Sequence, residues 1–459
     1  MAVRGSFSSR AGFILAAAGS AVGLGNIWKF PFEVGLGGGA AFVVMYLGFA
    51  FILCFPVMVT EIAIGRKTGK NPIGAFGELG HGRWSFVGKI GTFSGMLILS
   101  YYNVIAGWAL GYLVEMLMGN FDVGNNFGAY TTNVVKVVCY TVVFMTVTSY
   151  VVGRGIAGGI EKVAKILMPT LIIMIVSLAA YAFTLPYAFE GLKFYLVPEF
   201  DEINAATVGG ALRQAFFSLS LGMGTMIAYG SYLSKKENIV TASALVTLTD
   251  VMIAFIAGLM IFPFVAFNNG GDMTNLVSGP GLLFVNLPNA FASMGPTLGV
   301  IVGAFFFLLI AFAALTSTVS LLEVPVCYVV DELKVVRSKA VWYVSGVIYL
   351  IGIPSLIGFG ISDFFSNSIV LPASTDWLSF AASLADTLLL FGGFCIVTFA
   401  AYVWKKENLV AELKNGFENY EETFASKFLN IAISYICPAL LALLFVLVVL
   451  SHFFGISLI

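Results

Sequence analysis

Oxygen-bearing side chains gather at three places in this chain where the surroundings are otherwise apolar. Gly19-Ser20-Ala21-Val22-Gly23-Leu24-Gly25-Asn26 lies within an apolar segment from about Ala11 to Phe32. Ser218-Leu219-Ser220-Leu221-Gly222-Met223-Gly224, followed by Thr225, interrupts another near Thr207 to Tyr232, and Leu315-Thr316-Ser317-Thr318 stands in a third. Each glycine in a helix interior costs roughly 1 kcal/mol against alanine, so the first two stretches read as helix breaks. Within a bilayer a break survives only where it is buried in protein or lines a cavity. Unwound backbone there offers carbonyl oxygens to a hard cation, and the half-helix N-termini suit a carboxylate. Two blander readings compete: small residues at a close helix crossing, and hydroxyls bonded back to their own helix. The concentration of hydroxyls at two matching breaks favours ion ligands.

Asp250 is the sharpest ionisable residue, set in Val246-Thr247-Leu248-Thr249-Asp250-Val251-Met252. A carboxylate so deep in an apolar run needs a partner and marks an ion or proton pathway; a structural hydrogen bond is the alternative. Glu61 and Glu323 lie nearer the ends of their segments, where structural or cytoplasmic-pathway roles fit. Asp386 has no evident role. No hydrolase, kinase or metalloprotease signature appears, and neither His81 nor His452 supports catalysis.

The elements that position these residues follow from composition. The chain has 459 residues, 59% hydrophobic and 10% charged, against about 25% charged in soluble domains. It is an all-α polytopic membrane protein by this measure, and no basic run suggests nucleic acid. Its five cysteines all lie in apolar segments, which argues against a disulfide framework or a zinc site. The first apolar segment lacks a small-residue cleavage site and continues through Asn26, so no signal peptide is expected. Periodicity gives eleven spans, at roughly 11–33, 40–64, 88–119, 133–151, 163–185, 207–232, 239–267, 296–330, 339–359, 377–404 and 428–455. The stretches 69–91 and 268–296 read as surface segments on opposite sides. With the N-terminus inside, 19 of the 23 basic residues fall on the inner side, leaving Lys29, Lys136, Lys193 and Arg213 outside. A multi-pass protein of the plasma (inner) membrane is expected, with the N-terminus cytoplasmic and the C-terminus outside. The organisation predicted is a cytoplasmic segment 1–10, a first inverted repeat 11–185, a second 207–404 and an eleventh span 428–455. The breaks in spans 1 and 6 then occupy equivalent places in two inverted five-helix repeats.

These motifs resemble the neurotransmitter:sodium symporter family over nearly the whole chain. The resemblance rests on the first span through Gly23-Leu24-Gly25-Asn26-Ile27-Trp28-Lys29-Phe30-Pro31, on Gln214-Ala215-Phe216-Phe217-Ser218 with the break after it, on Gly279-Pro280-Gly281-Leu282-Leu283-Phe284, and on Leu315-Thr316-Ser317. The eleven-span form is similar to bacterial amino-acid transporters with the leucine-transporter fold. The resemblance implies a secondary active transporter, not an enzyme, with two sodium ions as co-substrates. The first would take the Ala21 carbonyl, Asn26, Ser218 and Asp250. The second would take Gly19, Val22 and Ala313 carbonyls with Thr316 and Ser317. A substrate pocket is implied at Ala21, Gly25, Ile98, Tyr102, Phe217, Ser218, Ser220, Met223, Ser317 and Leu321. Arg4, Asp331 and Tyr232 match an inner gate, and Lys29, Gln214, Tyr102 and Phe217 an outer one. Two departures stand out: Asp250 replaces the family's usual asparagine, and Lys29 its arginine. No acidic partner for Lys29 is evident in span 10, where Ala381 falls about where the carboxylate should be.

The function expected is sodium-coupled import of a neutral, hydrophobic or aromatic α-amino acid by alternating access. Monoamine carriers of the family resemble each other in an aspartate where this chain has Gly23, so a substrate bringing its own carboxylate is implied. Chloride-dependent relatives use a serine in span 7 whose matching position is Ala254. Chloride independence is therefore expected, with Asp250 carrying a proton on the return step. A substrate-gated channel and a membrane enzyme are the alternatives. The expected partners are a small amino acid and the lipid bilayer.

Overall fold

The computed structural model describes residues 5–274, 281–367, 371–372, 374 and 376–456. Arg4, Gly279 and Pro280 lie outside the described residues. Long apolar helices dominate, and among the described residues no strand forms beyond one isolated bridge, Leu371 to Ser374. Among the described residues nine helices are long and apolar enough to cross a membrane: Ala40–Thr68, Gly82–Leu117, Val134–Gly153, Ile156–Ala182, Ile239–Asn268, Pro296–Asp331, Arg337–Ile357, Trp377–Val403 and Phe424–Phe454. A tenth is a pair, Arg10–Ala21 and Gly25–Leu36, bent by 46°. The expected sixth span is two short pieces, Ala205–Ser218 and Thr225–Gly230, on either side of 219–224. Span 3 starts earlier than the hydropathy suggests, because Ser85 to Gly91 continue its helix below the apolar run. The stretch expected as an outer loop carries the short helical stretch Leu282–Ser293.

The two breaks fall where the glycines stand, and several of their freed backbone groups are satisfied. In the first, the Val22 N–H donates to Ala18 O, Gly23 N–H to Asn26 Oδ1 at 3.0 Å, and Leu24 N–H to Tyr102 Oη at 2.7 Å. In the second, Gly222 and Gly224 adopt left-handed conformations with φ of 79° and 80°. A Cβ at Gly222 would stand 2.1 Å from Leu389 O, so no other residue fits there. The Gly222 N–H donates to Glu61 Oε1 at 2.7 Å. Glu61 is thus the built-in acceptor for the broken sixth span, the structural role open to a buried carboxylate there. Ser220 takes φ of 54°, rare for a side-chain-bearing residue, and its hydroxyl donates to Ser20 O at 3.0 Å. One bond therefore joins the two breaks face to face.

Around this centre, spans 4, 8 and 9 are joined by buried hydroxyl pairs: Thr148 with Thr318 at 3.0 Å and Ser149 with Ser345 at 2.7 Å. Each such bond between membrane helices contributes roughly 0.6 kcal/mol, so they fix register more than they supply stability. On the expected cytoplasmic side, Arg66 is wholly buried and its Nε meets Glu412 Oε1 at 2.7 Å. Its Nη1 donates to Glu237 O. The linker before the last span is thereby tied to span 2 and to the turn after span 6. Glu161 likewise accepts from the Ser8 N–H at 2.7 Å and from the Ser8 hydroxyl, holding the N-terminal segment against span 5.

Candidate functional site

A cavity opens between the two breaks. Its walls hold all ten residues expected to meet a substrate, together with Ser20. The cavity between them is narrow, about 20 Å³, space for on the order of one water. Ile98, Met223 and Leu321 make part of the wall apolar. Backbone of the first break and side chains of Ser218, Ser220 and Ser317 make the rest polar. Gly23 is closed off by its neighbours: a Cβ there would stand 2.1 Å from Ser317 Oγ and 2.5 Å from Tyr102 Oη.

Asp250 lies beneath this cavity, fully buried, and binds the surrounding elements together. It accepts from Asn26 Nδ2 at 2.7 Å, from Ser218 Oγ at 2.9 and 3.1 Å, and from Tyr46 Oη at 3.0 Å. Spans 1, 2, 6 and 7 thus converge on one carboxylate. Three of the residues implied as a first sodium set are in direct contact, and Ala21 is on the adjoining cavity wall. A carboxylate with hydroxyl and amide oxygens around it has the chemistry of a hard-cation site. Tyr46 was not among the expected residues. A tyrosine in a long apolar span looks like any core aromatic, and only its hydroxyl facing Asp250 distinguishes it.

The second implied set gathers on the other side of span 1. Thr316 Oγ1 donates to Val22 O at 3.1 Å and to Ala313 O at 2.9 Å. Gly19 packs on the same threonine, where a Cβ would lie 3.4 Å from Thr316 Cβ. Ser317 Oγ turns to Ser20 O at 3.2 Å. Thr316 thus joins two carbonyls of the implied set, while the Ser317 hydroxyl is on a carbonyl outside it.

The gate residues divide. Lys29 Nζ meets Asp386 at 3.0 and 3.2 Å and stands 4.1 Å from the centre of the Phe217 ring. Lys29 therefore does have an acidic partner in span 10, and it is Asp386, not a group at Ala381. The misplacement came from register: the chain between Phe359 and Trp377 offers no regular period from which to count. Lys29 and Asp386 side chains are 15% and 12% exposed, so the pair is largely withdrawn from solvent. Gln214 does not join this pair; its Nε2 holds Gly25 O at 2.7 Å. At the end expected to face inward, Tyr232 Oη donates to Glu323 Oε1 at 2.9 Å, and Glu323 also pairs with Arg337. Asp331 lies beside Asn71 Nδ2 at 3.4 Å.

Comparison with known proteins bears on what this arrangement serves. A sequence model of the sodium:neurotransmitter symporter family matches residues 4–135 and 125–454. The chain is 36% identical over 419 residues to the uncharacterized sodium-dependent transporter YhdH of Bacillus subtilis, covering 89% of this chain and 90% of that one. It is 34% identical to the uncharacterized sodium-dependent transporter MJ1319 of Methanocaldococcus jannaschii, covering 85% and 82%. Among solved structures it is similar to MhsT in complex with L-phenylalanine, with a TM-score of 0.87, 38% identity, and coverage of 96% of this chain and 99% of that one.

Proposed function

The chain belongs to the sodium:neurotransmitter symporter family, a family of secondary transporters and not of enzymes, and from that premise we propose that it imports a neutral α-amino acid together with two sodium ions. The observation that carries this reading is the meeting of Asp250, Asn26 and Ser218 beside the cavity between two broken spans. The substrate carboxylate lies against the first sodium ion near Gly25 and Tyr102. Its ammonium group meets carbonyls of the unwound segments, and its side chain rests on Ile98, Met223 and Leu321. Methionine adapts to varied shapes, which suits several hydrophobic side chains. The relative MhsT holds L-phenylalanine, which supports an amino acid here. Gly23 supplies no side-chain anion at this position, which supports a substrate that brings its own carboxylate.

In this reading the chain crosses the membrane eleven times, with spans 1–5 and 6–10 as inverted repeats and the N-terminus inside. Thr316, Ser317, Gly19, Val22 and Ala313 hold the second sodium ion. Lys29, Asp386 and Phe217 close the outer side over the substrate. Arg4, Asp331 and Tyr232 serve the inner side, where Tyr232 works through Glu323. Transport is independent of chloride. Two sodium ions and a zwitterion leave excess positive charge, which the fixed Asp250 carboxylate offsets. Ala254, one turn beyond it, has no hydroxyl to hold an anion. A proton on Asp250 replaces the sodium ion during the empty return step.

A competition screen of the twenty amino acids, with sodium or with potassium, tests the reading. Sodium-dependent binding of neutral amino acids is expected. Equal competition by decarboxylated amines would contradict it.

A further inference from the structure

Two charged side chains beside the Lys29–Asp386 pair are uncommitted. Among the described residues neither Glu33 nor Arg213 makes a side-chain hydrogen bond or an ion pair, while Lys29 and Asp386 meet at 3.0 Å. The Glu33 and Arg213 heads both flank Gly210, where a Cβ would lie 3.4 Å from Glu33 Oε2 and 3.8 Å from Arg213 Nη2. Glu33 is partly buried and stands one helical turn after Lys29 on Gly25–Leu36, so the two share a helix face. Lys29, Arg213 and Asp386 are the charged groups within electrostatic reach of Glu33. Two cations and two carboxylates thus stand together. Three of the four are on spans 1 and 6, which the bonds from Gln214 to Gly25 O and from Ser220 to Ser20 O tie to each other. Asp386 alone belongs to span 10. Any opening between span 1 and span 10 therefore takes Asp386 out of the group. It leaves Lys29 and Arg213 as two like charges, and a cation withdrawn from water without its partner is costly. Glu33 stays with Lys29 throughout, because their spacing on one helix is fixed.

We propose that Glu33 is a positioning residue of the outer gate, receiving the Lys29 ammonium when that group leaves Asp386, so that opening exchanges one carboxylate for another. The proposal rests on the symport reading above, in which Lys29 and Asp386 close the outer side. Loss of Glu33 then makes the open arrangement less stable and delays the escape of bound substrate. A merely structural role predicts the reverse, since loosened packing at the outer side would let substrate out sooner.

The test is the release rate of labelled L-phenylalanine, L-leucine or L-methionine from the purified full-length protein in saturating sodium, chased with unlabelled amino acid. An ion pair near the surface corresponds to about two- to fivefold. Glu33→Gln should slow release by about that factor, opposite in direction to Asp386→Asn, and Glu33→Asp, which keeps the charge, should stay nearer the wild type. In a Lys29→Gln background Glu33→Gln should change nothing. Unchanged or faster release in Glu33→Gln overturns the inference alone. So does slowing as large in Glu33→Asp, or equal slowing in the Lys29→Gln background, which would assign the effect to Arg213. Absence of sodium-dependent binding by all three amino acids overturns the reading of the chain as a hydrophobic amino-acid symporter, and this inference with it.

Discussion

Replacing Asp250 with asparagine removes one charge from a site that four spans share. The carboxylate receives Asn26, Ser218 and Tyr46 within 2.7 to 3.1 Å. In Asp250→Asn the new carbonyl keeps the Asn26 bond. The new amide faces Tyr46 and Ser218, whose hydroxyls can rotate to accept. Folding should therefore weaken by only about 1–2 kcal/mol. The sodium ion loses more. Opposite unit charges 4 Å apart attract by about 4 kcal/mol at an effective dielectric of 20. If the amide dipole recovers up to half of that, sodium affinity falls on the order of 30- to 1,000-fold. The assay is the sodium concentration giving half-maximal substrate binding, measured in chloride and in gluconate. The single variant should need far more sodium in both. Adding Ala254→Ser provides a hydroxyl one helical turn away, and chloride but not gluconate should then restore part of the affinity. The same sodium requirement in Asp250→Asn as in the wild type would refute the placement of the ion. A double variant indifferent to chloride would refute the charge argument.

Other perturbations separate the remaining parts. Thr316→Ala removes a hydroxyl from between two carbonyls and should raise the sodium requirement roughly tenfold while leaving the order of substrate preference unchanged; uptake titrated against sodium checks it. Asp386→Asn leaves Lys29 largely buried beside a neutral group. Release of labelled substrate should quicken by about five- to thirtyfold, for roughly 1–2 kcal/mol lost, and adding Lys29→Ala should cost less than the sum of the two single changes. Arg66→Ala strands the buried Glu412 and should cost about 3–5 kcal/mol, seen as a lowered melting temperature in detergent, whereas an apolar pair replacing both should cost much less.

Much of this was legible in the chain because the bilayer makes exceptions expensive. A glycine pair or a lone carboxylate in an apolar span requires a reason, and the breaks at Gly23 and Gly222 and the carboxylate of Asp250 all stood out on that ground. The long spans followed from hydropathy, though their ends did not in every case: the helices of spans 3, 5 and 11 begin several residues before the apolar runs. What escaped was whatever looked ordinary or depended on register across irregular chain. Tyr46 carried no signal beyond being aromatic. Ser20 was visible as a hydroxyl at a break, yet nothing in the sequence said that it also lines the cavity. Asp386 could not be matched to Lys29 because no period bridges Phe359 to Trp377. The sixth span, by contrast, was read as interrupted at 218–224, and it is two short pieces on either side of Leu219 to Gly224.

The most direct test of sodium-coupled amino-acid symport is uptake into proteoliposomes of the purified protein under an imposed inward sodium gradient. Labelled neutral amino acid should accumulate above its external concentration, saturably, unchanged on recovery, and equally in chloride or gluconate. Accumulation should collapse when the gradient is removed with an ionophore. Uptake that merely equilibrates, or that proceeds as well with potassium in place of sodium, would contradict the account.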